Sequence, residues 1–308
     1  MVVDGNEISG VNSQNVGNLA MYGIKVEQVK NGYNLNYFPD EPEATVIKNN
    51  IIWGISTATT DPHRIGIALL TLRKSPLTWV SDPFTAMDAT YMTSNDMIVS
   101  NTVIMDDDAG LTTGMLAGIS VMHAKNTKII NNAVAVLDNN IDNASKMNAC
   151  IFYQGIIPTA QNGLLSNRNA FYKIPKAENN LTGPAFYGFY ELDQTGKFVE
   201  PLVSSTYNPN GYETIRQWRN WTGQDINSIE ANWLTGYTQT GIAPYKYRIT
   251  TPTPQGSPLN NRGYRLDDVY GAAAGFGNDI KDTGCTFGIV FGGWRSNYFD
   301  RFNLVGRE

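Results

Sequence analysis

Two histidines, His63 and His123, and a run of three aspartates, Asp106, Asp107 and Asp108, are the residues of this 308-residue chain best suited to chemistry. In "VMHAKN" His123 stands two residues before Lys125. Folded near Asp106–Asp108, that pair would form an acid–base group able to move a proton on a bound substrate, although ordinary loop residues are the plainer reading. The aspartates of "MDDDAG" form the best acidic cluster for a hard cation such as calcium. Such an ion takes about six to eight oxygens from several segments, so one run fills only part of its shell, and a solvated turn is the plainer reading. In "DPHR", His63 sits between Asp61–Pro62 and Arg64, a charged and accessible grouping. Glycoside hydrolysis needs two carboxylates about 5–9.5 Å apart. The nearest i, i+2 pair, Glu191 and Asp193, precedes "QTG" and reads as part of a turn.

Other chemistry finds less support. No H-E-x-x-H, P-loop or dinucleotide-binding fingerprint occurs, and no Ser-His-Asp order is present. Cys150, in the apolar "NACIFYQG", reads as a buried free thiol, with a bridge to Cys285 left open. A net charge of −5 argues against a general nucleic-acid binder, which needs a basic face for phosphates. No apolar run approaches the roughly 20 residues of a membrane span. Hydrophobic residues make up 42% of the chain, enough for a core, but charged residues only 17%. The surface must therefore draw on Asn, Ser, Thr, Gln and Tyr.

Any such site would be held by elements that show themselves as a repeat. An apolar residue, an asparagine three positions on and an apolar residue two further recur as Val3/Asn6/Ile8, Ile47/Asn50/Ile52, Ile98/Asn101/Val103 and Ile129/Asn132/Val134. A fifth, imperfect copy has Ser166 in the first apolar place, then Asn169 and Phe171. The asparagines lie 44, 51, 31 and 37 residues apart. Between them runs a second unit, "YGIKV", "IGIAL" and "AGISV", with "ACIFY" as a relative without glycine. Both units have the period-two apolar pattern of short strands.

A parallel β-solenoid accounts for both. Each turn stacks its strands on those of the next about 4.8 Å away, inward side chains form aliphatic columns, and the chain bends at corners. Asn tolerates the left-handed backbone of a corner and, repeated at one corner, builds a hydrogen-bonded ladder. A β-sandwich with Asn-rich turns is the alternative, but Asn-Gly hairpin signals are few. The polar stretches between units read as loop insertions, and such loops commonly form a binding face. The insertion from Arg73 to Asp96 carries Trp79, Phe84 and Tyr91.

These residues resemble the right-handed parallel β-helix proteins of the pectate-lyase-like superfamily. "GLLSNRNAFYKI" looks like a late coil. "YETIRQWRNWTGQDINSI" is similar to the short helix and Thr-Gly-x-Asp-x-x-Ser run that follow the coils, and "YKYRITTPTPQGSPLNNRGYRLDDVYG" to the closing segment. The ending "AAAGFGNDIKDTGCTFGIVFGGW" departs from the usual one, so the C-terminal tail is expected to pack differently. Within the helix, Ile215, Trp218 and Trp221 share one face, and Gly223 stands at its C-cap, which predicts a cover for exposed strand edges.

The expectation is an all-β, right-handed parallel β-helix with long insertions. Residues 1–200 would be its coils and 201–308 a C-terminal region with a helix near 213–222 and irregular segments packed on it. The chain opens inside a strand–corner–strand unit, which predicts either earlier residues or a neighbouring domain over that edge. The resemblance implies an extracellular or cell-surface protein. The reading it supports best is a non-catalytic structural or adhesive module of a larger secreted, surface or phage-tail protein. A polysaccharide partner would then stack on Trp53, Trp79 and Tyr91. No cofactor is required, although calcium at Asp106–Asp108 is compatible. A polysaccharide lyase or glycoside hydrolase using Asp107, His123 and Lys125 is the alternative, and a tailspike-like trimer is a third.

Overall fold

In each repeat the chain runs as a short strand, turns at a corner, runs as a second strand, and returns through a longer third strand. A computed structural model describes residues 1–13, 21–29, 45–57, 64–72, 93–94, 96–106, 114–122, 124–125, 127–137, 146–154, 164–173, 187–190, 210–212, 215–234, 238–239 and 247–248.

Three stacks of strands result. The first sheet joins Val2–Asp4, Val46–Lys48, Met97–Val99, Lys128–Ile130 and Leu165–Asn167, all parallel. The second joins Glu7–Ile8, Ile51–Trp53, Thr102–Asp106, Ala133–Leu137, Ala170–Lys173 and Ile229–Glu230, also parallel. The third stacks Met21–Val29, Arg64–Leu72, Gly114–Met122, Lys146–Gln154 and Tyr187–Tyr190 in parallel, and Asn210–Tyr212 ends it antiparallel. Parallel pairing of successive repeats is the arrangement of a solenoid-like stack rather than of sandwich hairpins.

Register follows the repeated units. Val3, Ile47, Ile98, Ile129 and Ser166 align in one column. Ile8, Ile52, Val103, Val134 and Phe171 align in a second. From the third sheet Ile24, Ile67, Ile119 and Ile151 align, as do Val26, Leu69, Val121 and Tyr153. Apart from Ser166, these inward columns make one continuous core, and the first coil's Val3 and Ile8 are only partly buried at its end. A smaller cluster covers the outer face of the second sheet: Ile51, Trp53, Ile104, Ala133, Ala135 and Ala170 pack with Trp233.

The two sequence units meet across the core. A Cβ at Gly118 would lie 2.1 Å from Val134 Cγ1, one at Gly66 2.2 Å from Val103 Cγ1, and one at Gly23 2.4 Å from Ile52 Cγ2. The apolar residues two places after Asn50, Asn101 and Asn132 therefore press on the third-sheet backbone at these three positions, where glycine leaves room. In the fourth coil Cys150 aligns beyond Gly118, whose Cβ would also meet the Cys150 carbonyl at 2.9 Å.

The helix spans Ile215–Thr222. The Ile215 amide donates to Glu230 Oε2 at 2.9 Å, and Gly223, with φ +68°, donates its amide to the Arg219 carbonyl at 2.8 Å. Ile215 and Trp218 join the core, whereas the Trp221 side chain lies outside the described residues.

Gly118→Ala should lower unfolding stability by about 1–3 kcal/mol, the usual cost of overpacking a filled core. Urea titration would measure it, and adding Val134→Ala, which removes the opposing methyl, should recover part of the loss.

Candidate functional site

The most highly organised polar structure is a column of amides inside the fold. Asn50, Asn101, Asn132 and Asn169 are fully buried at the corner between the first two sheets, and Asn6 begins the column at the exposed end. The bonding repeats. The Asn50 amide and Nδ2 donate to Asn101 Oδ1 at 3.0 and 2.9 Å. Those of Asn101 donate to Asn132 Oδ1, both at 3.0 Å, and those of Asn132 to Asn169 Oδ1 at 2.9 and 3.1 Å. Asn6 does the same toward Asn50, with both distances 3.0 Å. Each Nδ2 also reaches a carbonyl: Asn101 that of Ile47 at 2.9 Å, Asn132 that of Ile98 at 2.8 Å and Asn169 that of Ile129 at 2.9 Å.

One expectation about these corners shifts by a residue. The left-handed backbone falls just before each ladder asparagine, on Gly5, Asn49, Ser100, Asn131 and Arg168, with φ between 53° and 67°. The ladder asparagines keep ordinary backbone and supply side-chain bonding, while the preceding residue makes the bend.

Sequence reasoning missed how the ladder ends. Asp225, fully buried, receives four donors. Asn169 Nδ2 and Ser228 Oγ donate to Oδ1 at 3.0 and 2.6 Å, and Ser166 Oγ and Trp218 Nε1 donate to Oδ2 at 2.8 and 3.0 Å. Ser228 Oγ also accepts the Asn169 amide at 2.8 Å, taking the place that an asparagine oxygen holds in earlier coils. Ser166, the misfit of the fifth repeat, is polar because its hydroxyl meets this carboxylate. The Thr-Gly-x-Asp-x-x-Ser run was the visible signal: Thr222 Oγ1 donates to the Trp218 carbonyl at 2.8 Å and accepts the Gln224 amide at 3.1 Å. Arg219 Nε donates to the Asp225 carbonyl at 2.6 Å, and its Nη2 to the Ser228 carbonyl. Trp218 also stacks on Tyr153, centroids 5.8 Å apart. Burial first, then the Asp225 charge, pushes the Tyr153 hydroxyl well above its ordinary range.

The residues singled out for chemistry are placed as follows. Asp106 ends its strand half-buried, and its carbonyl accepts from Nη1 of the buried Arg64 at 3.5 Å. Lys125 lies in the strand Ala124–Lys125, paired with Thr93–Ser94. Asp107, Asp108, His63, His123, Trp79, Tyr91, Glu191, Asp193 and Cys285 lie outside the described residues. Trp53 is 5% exposed in the outer cluster, with its indole N–H donating to Glu7 Oε1 at 3.3 Å, so its ring is engaged in packing. Among the described residues no three His, Cys, Asp or Glu side chains group to hold a metal ion. No helix among them is long and apolar enough to cross a membrane. Cys150 is a free, buried thiol whose Sγ donates to the Tyr172 carbonyl at 3.6 Å. Burial, aided by Glu230 and opposed by Lys173, drives its pKa far up.

Comparison of the chain with protein-family profiles, with curated proteins and with solved structures finds no match.

Two outcomes are expected. Asn132→Ala should cost about 3–5 kcal/mol, because it deletes buried bonds and strands the Asn101 donors, whereas Asn6→Ala at the exposed end should cost less than about 1 kcal/mol. Paired denaturant titrations would measure the difference. Native Cys150 should resist iodoacetamide until the chain unfolds. Because its pKa is raised in the native state, stability should be fully present below the ordinary thiol value of about 8.5 and fall above it by up to about 1.4 kcal/mol per pH unit. Cys150→Ala should remove that part of the slope in a pH series of melts.

Proposed function

We propose that this chain is a non-catalytic, right-handed parallel β-helix module of the pectate-lyase-like kind, serving as a structural or adhesive part of a larger extracellular or cell-surface assembly. The observation that carries the reading is where the polar groups of the asparagine column go. Asn50, Asn101, Asn132 and Asn169 bond to one another, and Asp225, the buried carboxylate that ends their column, is saturated by four donors. A general acid or base must keep a lone pair or proton facing its substrate. These groups face only each other, as parts of a rod do.

The terminus of the ladder supports the same reading: among the described residues, the helix Ile215–Thr222 and Asp225 close one end of the stack. A glycan partner fits a surface rich in uncharged polar residues, with the aromatic residues of the 73–96 insertion, Trp79 and Tyr91, as stacking platforms.

The purified chain should release no unsaturated product and no new reducing ends from a panel of acidic and neutral polysaccharides, with or without calcium. Retention on one glycan column, weakened by Trp79→Ala or Tyr91→Ala, would establish adhesion. Product formation abolished by Asp107→Ala or His123→Ala would replace this reading with a lyase or hydrolase.

A further inference from the structure

A second polar column runs inside the fold. At the corner where the chain enters the first sheet, Thr45, Asp96 and Thr127 stack on one another, and all three are buried. Backbone bonds fix the stack. The Met97 amide donates to the Thr45 carbonyl at 2.8 Å, that of Lys128 to Asp96 at 2.9 Å, and that of Leu165 to Thr127 at 3.0 Å. Each of the three lies two places before an inward isoleucine, Ile47, Ile98 or Ile129, so its side chain takes the same face. Leu164, next in the column, belongs to the apolar core.

Thr127 is 1% exposed, and its hydroxyl finds no hydrogen-bond partner among the described residues. A buried hydroxyl left so is costly. Its neighbours in the column are Leu164 on one side and the fully buried Asp96 on the other. Hydroxyl and carboxylate therefore belong to successive coils, about 4.8 Å apart. Two hydrogen bonds of about 2.8 Å that meet at one water span oxygens roughly 4.5 Å apart.

We propose that Thr127 and Asp96 hold a buried water, which joins two coils at this corner as the asparagines do at theirs. The water accepts the Thr127 hydroxyl proton and donates one of its own to the Asp96 carboxylate. A carboxylate offers about four acceptor sites, so the bridge adds to whatever else Asp96 meets. A cation fits the same groups less well. It would take a lone pair of Thr127 and leave the hydroxyl proton facing aliphatic side chains. A divalent ion would also want about six oxygens or more, whereas this column brings one carboxylate and the hydroxyls of Thr45 and Thr127. The bridge belongs to the stack and does not depend on the module's function.

A high-resolution crystal structure of the whole chain should show one solvent peak within about 3.2 Å of Thr127 Oγ1 and of an Asp96 oxygen. The peak should persist in Thr127→Ser and vanish in Thr127→Val. Stability is a second readout, because the two cases differ in sign. With the water in place, Thr127→Val strips it of a partner and should raise the unfolded-to-folded ratio about tenfold. Without it, the same substitution removes an orphaned hydroxyl and leaves the chain as stable or more so. No solvent peak at this position, or Thr127→Val at least as stable as the native chain, would overturn the proposal. So would a melting temperature higher in potassium or calcium chloride than in tetramethylammonium chloride at equal ionic strength, if Thr127→Val abolished the difference, since that marks a cation.

Discussion

A buried primary amide has two donors and an acceptor that must all be satisfied, and the column from Asn50 to Asn169 satisfies them coil by coil. An orphaned polar group in the interior costs about 1–3 kcal/mol. Each asparagine here quiets its own amide group and a corner amide and carbonyl of neighbouring coils. The bonds form only when every corner lies directly over the last. In the fourth coil a shift of one residue would bring Ala133, or the bend residue Asn131, to the ladder position in place of Asn132, and it would turn the core residues outward. Register is therefore enforced independently of what lies between the corners. This is how insertions that separate the asparagines by 31 to 51 residues coexist with one uniform stack.

The aliphatic columns supply cohesion, and the glycines set their thickness. Gly23, Gly66 and Gly118 let the third sheet approach until Ile52, Val103 and Val134 touch its backbone. Ladder and glycine column thus act on the same apolar residues from two sides, one fixing their height in the stack and the other their depth. Neither arrangement resembles a catalytic constellation, because each group is aimed inward at another part of the chain.

Direction in the ladder makes the two ends chemically different. At the closed end a carboxylate accepts where no further amide follows, and Asp225 takes four donors because a charged acceptor can hold more bonds than an amide oxygen. Trp218 serves both the polar and apolar closures, donating to Asp225 while its ring stacks on Tyr153. In the first coil Asn6 is exposed, and Val3 and Ile8 are only partly buried.

Much of this was legible in the sequence because a solenoid is a local code. Apolar–x–x–Asn–x–apolar specifies strand, corner and strand within six residues, and the glycine unit specifies the third strand, so the short helix and the buried, free Cys150 could also be anticipated from nearby residues. Which residue takes the left-handed bend was not: both Asn49 and Asn50 can adopt it, and only stacking decides that the second must point inward to its neighbour. Trp53 looked like an exposed platform, yet alternation along Ile51–Trp53 puts it on an outer face that Trp233, 180 residues away in sequence, helps to cover. Asp225, inconspicuous in "TGQDINSI", became the terminus of the ladder for the same reason. The sequence by itself determined the repeating unit, since period and residue type act over a few bonds. The tertiary structure alone decided the direction of the ladder and its terminus, since these depend on donors and acceptors brought together from residues 31 to 59 positions apart.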